Sequence, residues 1–453
     1  MPPIARPLNS LSRMPIGLQP ARRSPASTLF ISIANQCDKQ PPRHRFPGVC
    51  GRFGCTWSEP GTVWDRFRRG MRRPEWGRRL TFAVRIVPLP PTDRLEPAWR
   101  NLEARAEPSF FTSWFWIGSW LDRIVAPQLP GLRAGLLEVV EGAAIRAMAV
   151  VCRRRRGWPW LGATVALNQT GDPGDDAIWI EYNGLLAERG HEAAAWDALA
   201  RALSGSGVFA AGPWRAAELR LAGVSPAVAA ALNAAGVHTR ATSRETCPWI
   251  AFGPANRDLH GYLATLSANS RRQIRRALEL LSASGPPRLE RATPGEASAA
   301  FDELKDLHIA MWRARAGHDG AFGHRRFEDF SRTLIARGVP AGAVELVRVR
   351  TPDQTVGVLL NFVHRGHVYN YQTGFRRYDD NRIKPGLASH ALCIADHGAR
   401  GAAGYHFMGG GGRYKDSLGT SVEPLIWARA VRHGLLSRLE TLAMTIREMS
   451  SRR

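Results

Sequence analysis

Hydrophobic positions along the chain change period in a regular way, and the changes set out its elements. TFAVRIVPLP, residues 81–90, alternates apolar and polar side chains as a half-buried strand does. A helix from about Asp93 to Ala106 follows. PSFFTSWFWIGSWLDRIV then reads as an aromatic-rich helix with Ser109 or Thr112 as its cap. GLRAGLLEVVEGAAIRAMAVVCRRRR is two apolar runs about Glu141-Gly142, which predicts a hairpin. IWIEYNGLLAE is expected to be another strand, HEAAAWDALARALSGSG a helix stopping at Gly205, AAELRLAGV a strand and PAVAAALNAAG a helix. Pro248-Trp249-Ile250-Ala251-Phe252 closes this half.

The second half repeats the order in outline. Leu259, Leu263, Leu266, Ile274, Leu278 and Leu281 recur at helical spacing and predict one long helix. PRLERAT reads as a strand, PGEASAAFDELKDLHIAMWRARA and HRRFEDFSRTLIARG as helices. AVELVRVR pairs with TVGVLLNFVHRGHVYNYQTGF about the turn Thr351-Pro352-Asp353-Gln354. From Tyr369 to Lys415 the pattern is strand, basic loop, amphipathic helix, strand. Helices, antiparallel strands and then a strand–helix–strand unit, found twice, predict two similar α/β (α+β) domains, 81–250 and 251–446. Each is expected to be a mixed, largely antiparallel sheet flanked by helices.

Composition narrows this picture. At 453 residues, with 44% hydrophobic content and 15 tryptophans, the chain can bury more than one domain core. The net charge is +23, but residues 1–80 hold 15 Lys+Arg against 4 Asp+Glu, so +11 sits there and +12 is scattered over the rest. A solvated Arg-rich surface accounts for the scattered part, and nucleic acid is not an expected partner. Residues 1–80 lack sustained periodicity. They are expected to be a disordered basic extension, or upstream sequence read from a mistaken start with Met71 as the initiator. Cys37, Cys50, Cys55, Cys152, Cys247 and Cys393 match no metal spacing, so free thiols in a reducing cytoplasm are expected, with no metal. The longest apolar run, AAIRAMAVVC, falls well short of the roughly 18–20 residues that cross a bilayer.

The candidate chemistry lies in the Tyr369–Lys415 unit. Arg376, Arg377, Arg382 and Lys384 precede a helix beginning near Gly386, whose first N–H groups lack intrahelical partners and suit a phosphate. Tyr369, Tyr371 and Phe375 read either as one buried strand face or as the lining of an acyl channel. Tyr378 and Tyr414 carry hydroxyls able to donate to a leaving thiolate. Lys415 follows Gly409-Gly410-Gly411-Gly412, where glycine permits close backbone approach. Arg271, Arg272, Arg275 and Arg276 form a helical stripe, read as solvated or as a phosphate contact.

Taken in order, SANSRRQIRRALE, Trp312, GVLLNF with YNYQTGFRRYDD, KPG and FMGGGGRYK resemble the CelD-type acetyltransferase-like family, a GNAT-superfamily branch related to the Fem aminoacyltransferases. The resemblance covers about residues 86–440 and is specific over 262–415. It implies tandem GNAT-like domains with the better acyl-donor site in the second. Acyl-CoA would be a co-substrate, its pyrophosphate at Arg382-Ile383-Lys384-Pro385-Gly386 and Tyr371, Arg376 and Arg377 nearby. Pro385 departs from the glycine-rich family loop and removes one donor. The Tyr414-Lys415 pair matches a pair that recurs in the family, and His406 stands where an acid is expected. The implied catalytic set is Tyr378, His406, Tyr414 and Lys415, with Asp379, Asp380, His390, His406 and Glu423 as candidate bases.

The implied activity is acyl transfer from acyl-CoA to an amine or hydroxyl, within exopolysaccharide, cellulose or envelope biosynthesis. The acceptor would be a saccharide, a lipid-linked molecule or an amine, with peripheral membrane association left open. Two alternatives stand beside it: a Fem-like transferase using aminoacyl-tRNA, and a non-catalytic GNAT-fold binding module. Oligomeric state is not set by the sequence.

Overall fold

The computed structural model describes residues 82–129, 131–155, 163–324 and 326–432. The expected extension at 1–80, with Met71, Cys37, Cys50 and Cys55, lies outside the described residues, as does 433–446 of the second expected domain. The strands are β1 (Phe82–Pro88), β2 (Arg133–Glu141), β3 (Ala144–Arg155), β4 (Ala163–Leu167), β5 (Leu186–Ala187), β6 (Glu218–Val224) and β7 (His238–Ala251) in the first half. The second half adds β8 (Arg288–Arg291), β9 (Val344–Arg350), β10 (Thr355–His364), β11 (His367–Phe375), β12 (Gly404–His406) and β13 (Ser421–Val431). All belong to one sheet, in the order β1-β2-β3-β4-β6-β13-β7-β12-β11-β10-β9-β8, with β5 beside β3.

The fold is the expected mixed α/β one, a largely antiparallel sheet flanked by helices. Among the described strands only β4 with β6 and β11 with β12 pair in parallel, one such pair in each half. A parallel pair needs a crossover. Helix α3 (Glu192–Ser204) supplies the first and α9 (Pro385–Ala399) the second. The halves also exchange strands. β13, the last strand, lies between β6 and β7, and β7 runs on to pair with β12. The eleven-pair ladder between β7 and β13 ties the two sheets into one.

The helices are α1 (Thr92–Arg105), α2 (Trp114–Trp120), α4 (Pro226–Ala234), α5 (Leu259–Thr265), α6 (Ala268–Leu281), α7 (Ala297–Ala316), α8 (Phe327–Gly338) and α10 (Arg413–Leu418), besides α3 and α9. The aromatic segment expected as one helix starts as a 3₁₀ turn at Phe110–Thr112, capped by the Ser109 side chain, before α2 begins. Its rings reach into the other half. Phe110 stacks on Phe362 of β10 at 4.2 Å, and Trp116 meets Phe330 of α8 and Tyr371 of β11 edge-on. Each such ring, when fully buried, contributes about 1.5–3 kcal/mol, so this core holds the halves together as the strand exchange does. A separate core lies on the opposite face of the sheet in the second half, where α5, α6 and α9 cover Val347, Leu359 and Tyr405.

Three sequence expectations are corrected and one strand is added. IWIEYNGLLAE is a strand only at Leu186–Ala187. Its earlier part is irregular, and Tyr182 takes a positive φ of 49° that an extended strand does not admit. The long helix divides at Leu266-Ser267, where the Ser267 side chain accepts the Ser270 N–H and starts α6 afresh. TVGVLLNFVHRGHVYNYQTGF is two strands hinged on Arg365-Gly366, both at positive φ. SVEPLIWARAV, unassigned from sequence, is β13. No helix among the described residues is long and apolar enough to cross a membrane.

Candidate functional site

β11 and β12 stay paired for three residues only, His367–Tyr369 against Gly404–His406, and then part. Two local features cause the split. Leu360 of β10 lies opposite Gln372 and Asn361 opposite Asn370, so Tyr371 is an extra residue in β11. Such a bulge bends its strand and changes which face the following side chains occupy. Across the gap, the chain leaves β12 through Phe407 and turns at Met408 (φ 64°) and Gly410 (φ 90°). The two strands therefore diverge beyond Tyr369 and His406, leaving Phe375 at the end of β11 and Phe407 just past β12.

The turn on the β12 side is fastened from both ends. The Glu181 carboxylate accepts the Gly409 N–H at 2.9 and 2.8 Å, and Lys415 donates to the Gly409 and Met408 carbonyls. Glu181 also accepts the Trp179 indole N–H at 2.5 Å and sits 3.7 Å from the Cys247 sulfur, while Glu245 accepts the Gly410 N–H. Glu181 is fully buried, and burial raises its carboxyl above the usual range against the lowering effect of the Gly409 N–H and Lys415. Burial likewise lowers the Lys415 amine, against Glu181. A Cβ added at Gly409 would lie 2.7 Å from the Glu181 oxygen, so glycine here leaves room for the carboxylate. The polar contacts of Lys415 are those of a fastener.

On the same face, β11, β12, β7 and β13 bring together Tyr369, His406, Trp249, Cys247 and Glu423. His406 is sandwiched between Trp249 (5.1 Å, 6°) and Tyr369 (4.8 Å, 19°). Its Nδ1 meets the Tyr182 hydroxyl at 3.3 Å and its Nε2 meets His367 Nδ1 at 3.0 Å. Burial, with His367 next to it, holds its imidazole well below the usual histidine range. It is therefore neutral at neutral pH, and both nitrogens are engaged. Glu423, opposite Cys247 in the β7–β13 ladder, is different: no hydrogen bond or ion pair holds its carboxylate among the described residues. Burial alone pushes it up to about 7, which suits a base near neutrality.

The opposite face of the split is covered by α9. Arg377, Arg382 and Lys384 are exposed at its start. Arg382 is held by Asp380, whose carboxyl that contact draws down to about 2; Arg376 donates to the Thr355 carbonyl. Arg377 and Lys384 make no ion pair among the described residues. Pro385 is the first helical residue, and Ala388 N–H is the first to find a helix-type acceptor, the Lys384 carbonyl. The Gly386 and Leu387 N–H groups are thus free to meet an anion. In the first half, α3 begins instead with Glu192, its carboxylate accepting the Gly190 N–H, so the corresponding helix start is acidic.

The sequence-predicted residues divide between the two sides. Gly386, Phe375, Tyr378 and Tyr414 lie on the α9 side, where burial raises the Tyr414 hydroxyl to about 12 and that of Tyr378 by less. Tyr371 is on the other side, its hydroxyl donating to the Trp179 carbonyl at 3.1 Å, away from the basic loop. Asp379 lies in the exposed loop before α9. Glu181, Tyr182 and Cys247 were not singled out from the sequence. Glu181 gave no signal, because a lone acid inside an apparent strand reads as a solvent-facing residue.

Residues 268–416, about a third of the chain, match the family model described as "Acetyltransferase (GNAT) domain". That stretch runs from α6 to α10 and contains both strands of the split, while Glu181 and Glu423 lie outside it. The chain thus carries a GNAT-fold, acyltransferase-like domain. Among solved structures it is similar to that of FemX, at 11% identity over 78% of this chain and 98% of that one, with a TM-score of 0.49. It is also similar to the C-terminal domain (DUF2156) of a putative lysylphosphatidylglycerol synthetase from Agrobacterium fabrum (11% identity, 79% and 97% covered, TM-score 0.43). A third is a tandem GNAT protein from the clavulanic acid biosynthesis pathway (14%, 78% and 99%, TM-score 0.38). No curated protein matches the sequence.

Proposed function

We propose that the protein transfers an acyl group from acyl-CoA to an amine or hydroxyl through the split between β11 and β12. The carrying observation is the difference between its two faces: free cations and unpaired N–H groups at α9, and an unpartnered carboxylate, Glu423, on the other. The donor enters from α9 with its phosphates near Arg377, Lys384, Gly386 and Leu387. The acceptor enters beside Glu423. Its nitrogen or oxygen attacks the thioester carbon, its proton passes to Glu423, the C–S bond breaks, and the thiolate takes a proton from Tyr414, which solvent restores. Holding the two reactants together supplies roughly 7–11 kcal/mol of the barrier. His406, neutral and clamped, orients Tyr182 at the acceptor side. The saccharide and lipid-linked acceptors and the envelope pathway implied by the CelD resemblance, and the cytoplasmic location expected from the cysteines, belong to this proposal.

Release of CoA thiol from acetyl-CoA, measured against panels of amines and hydroxyls, tests the reading; acceptor-dependent release is the expected result. The double substitution Arg377→Ala/Lys384→Ala is expected to raise the donor KM about tenfold, the loss of one to two exposed charge contacts. Melting temperature and kcat should stay unchanged, because both side chains are exposed. An unchanged KM would place the phosphates elsewhere.

One observation favours a second reading, with aminoacyl-tRNA as donor. The outer face of α6 lines a groove with Arg271, Arg272, Arg275 and Arg276. Binding of charged tRNA that weakens steeply with salt, together with no response to CoA, would select it.

A further inference from the structure

Eight buried side-chain nitrogen or oxygen atoms among the described residues have no hydrogen-bond partner, and three of them, Tyr378 OH, Ser389 Oγ and His390 Nε2, fall within thirteen consecutive residues. Those residues are the loop before α9 and its first two turns. Buried polar groups are almost always paired, so such a concentration calls for a partner.

His390 is the most telling of the three. It is 0% exposed, and its ring touches both sides of the split: Phe375 at the end of β11 (5.7 Å) and Phe407 just past β12 (5.4 Å), with Tyr414 stacked on it at 5.6 Å and 24°. Its Nδ1 lies 3.4 Å from the Tyr405 hydroxyl. Burial, with Lys415 nearby, holds the imidazole neutral, down at about 3. Nε2 has no partner, and in the tautomer in which Nδ1 accepts from Tyr405 it is a buried N–H donor without an acceptor.

We propose that the Tyr405 hydroxyl donates to His390 Nδ1 and that His390 Nε2 donates a hydrogen bond to an amide carbonyl of the pantetheine arm of the acyl donor. The proposal rests on the acyl-CoA reading. Phe375, Phe407 and Tyr414 pack about His390; the carbonyl is the acceptor this N–H has lacked, and α9 reads the arm of the donor as well as its phosphates. His390 is a binding residue, and the contact distinguishes a carbonyl-bearing arm from a bare nucleotide.

The test is calorimetric titration of the full chain with CoA and with 3′,5′-ADP, which carries a nucleotide but no arm. His390→Phe is expected to weaken CoA binding about tenfold, the worth of a buried hydrogen bond, and to leave 3′,5′-ADP within twofold of wild type. His390→Gln, which keeps an N–H donor, is expected to recover most of the CoA affinity, and its melting temperature guards against a folding defect. Equal losses for both ligands, or none for CoA in His390→Phe, overturn the proposal while leaving the acyl-CoA reading standing. A wild-type protein that binds neither ligand overturns both.

Discussion

Replacing Glu423 with glutamine is expected to lower kcat for acyl transfer by about 10²–10³-fold, within the range that a positioned base contributes. The substitution preserves shape and removes only the ability to take a proton. Wild-type rate should rise with pH through about 7, where the half-buried carboxyl ionises, and the residual rate of the variant should lack that limb. Stability should move the other way. Unfolded, the carboxyl titrates at its ordinary 4.5; folded, at about 7. Between those values the folded state binds more protons, so the wild type loses stability as pH rises through that window, and the glutamine variant does not. A variant that is less active yet no less stable at pH 8 marks a residue held at a cost for its chemistry. A loss of activity that tracks a fall in melting temperature would make Glu423 merely structural.

The second large effect is on stability. Glu181→Ala removes the acceptor for the Gly409 N–H and the Trp179 indole, and with it the carboxylate that most favours the charged form of the half-buried Lys415. Leaving those two part-buried N–H groups unsatisfied costs about 1–3 kcal/mol each, to be read from urea denaturation. Lys415→Met should also be costly. Because both side chains grip opposite ends of Gly409, the double variant Glu181→Ala/Lys415→Met is expected to cost clearly less than the sum of the singles. Additive losses, or a Glu181→Ala loss under about 1 kcal/mol, would show that the two charges do not share the turn.

Local pattern disclosed those parts of the molecule whose neighbours are near in sequence. The β2–β3 hairpin about Glu141-Gly142 and the β9–β10 turn follow from alternation bounded by turn residues. The basic loop and α9 were legible for the same reason. The strand exchange was not, since what places β13 between β6 and β7 lies some two hundred residues away for both partners. A proline such as Pro424 counts against a central strand. It is tolerated because β6 pairs with β13 only from Ile426 onward, so at Pro424 the ladder has a neighbour on one side alone. Ile178, Ile180 and Tyr182 are buried at alternate positions and so imitate a strand, but they pack as an irregular segment. That resemblance hid Glu181. Glu423 was visible as a candidate; what makes it the strongest, a half-buried carboxylate without a partner, needed the fold.

The location of the donor is the claim on which the rest depends. Hydrogen–deuterium exchange of the full chain, with and without saturating CoA, reads it directly. Slower exchange confined to residues 372–390 and 404–412, the two walls of the split and the start of α9, is the expected pattern. No change there, or protection centred on β4 and α3 of the first half, would mean that the split between β11 and β12 is not where an acyl donor binds.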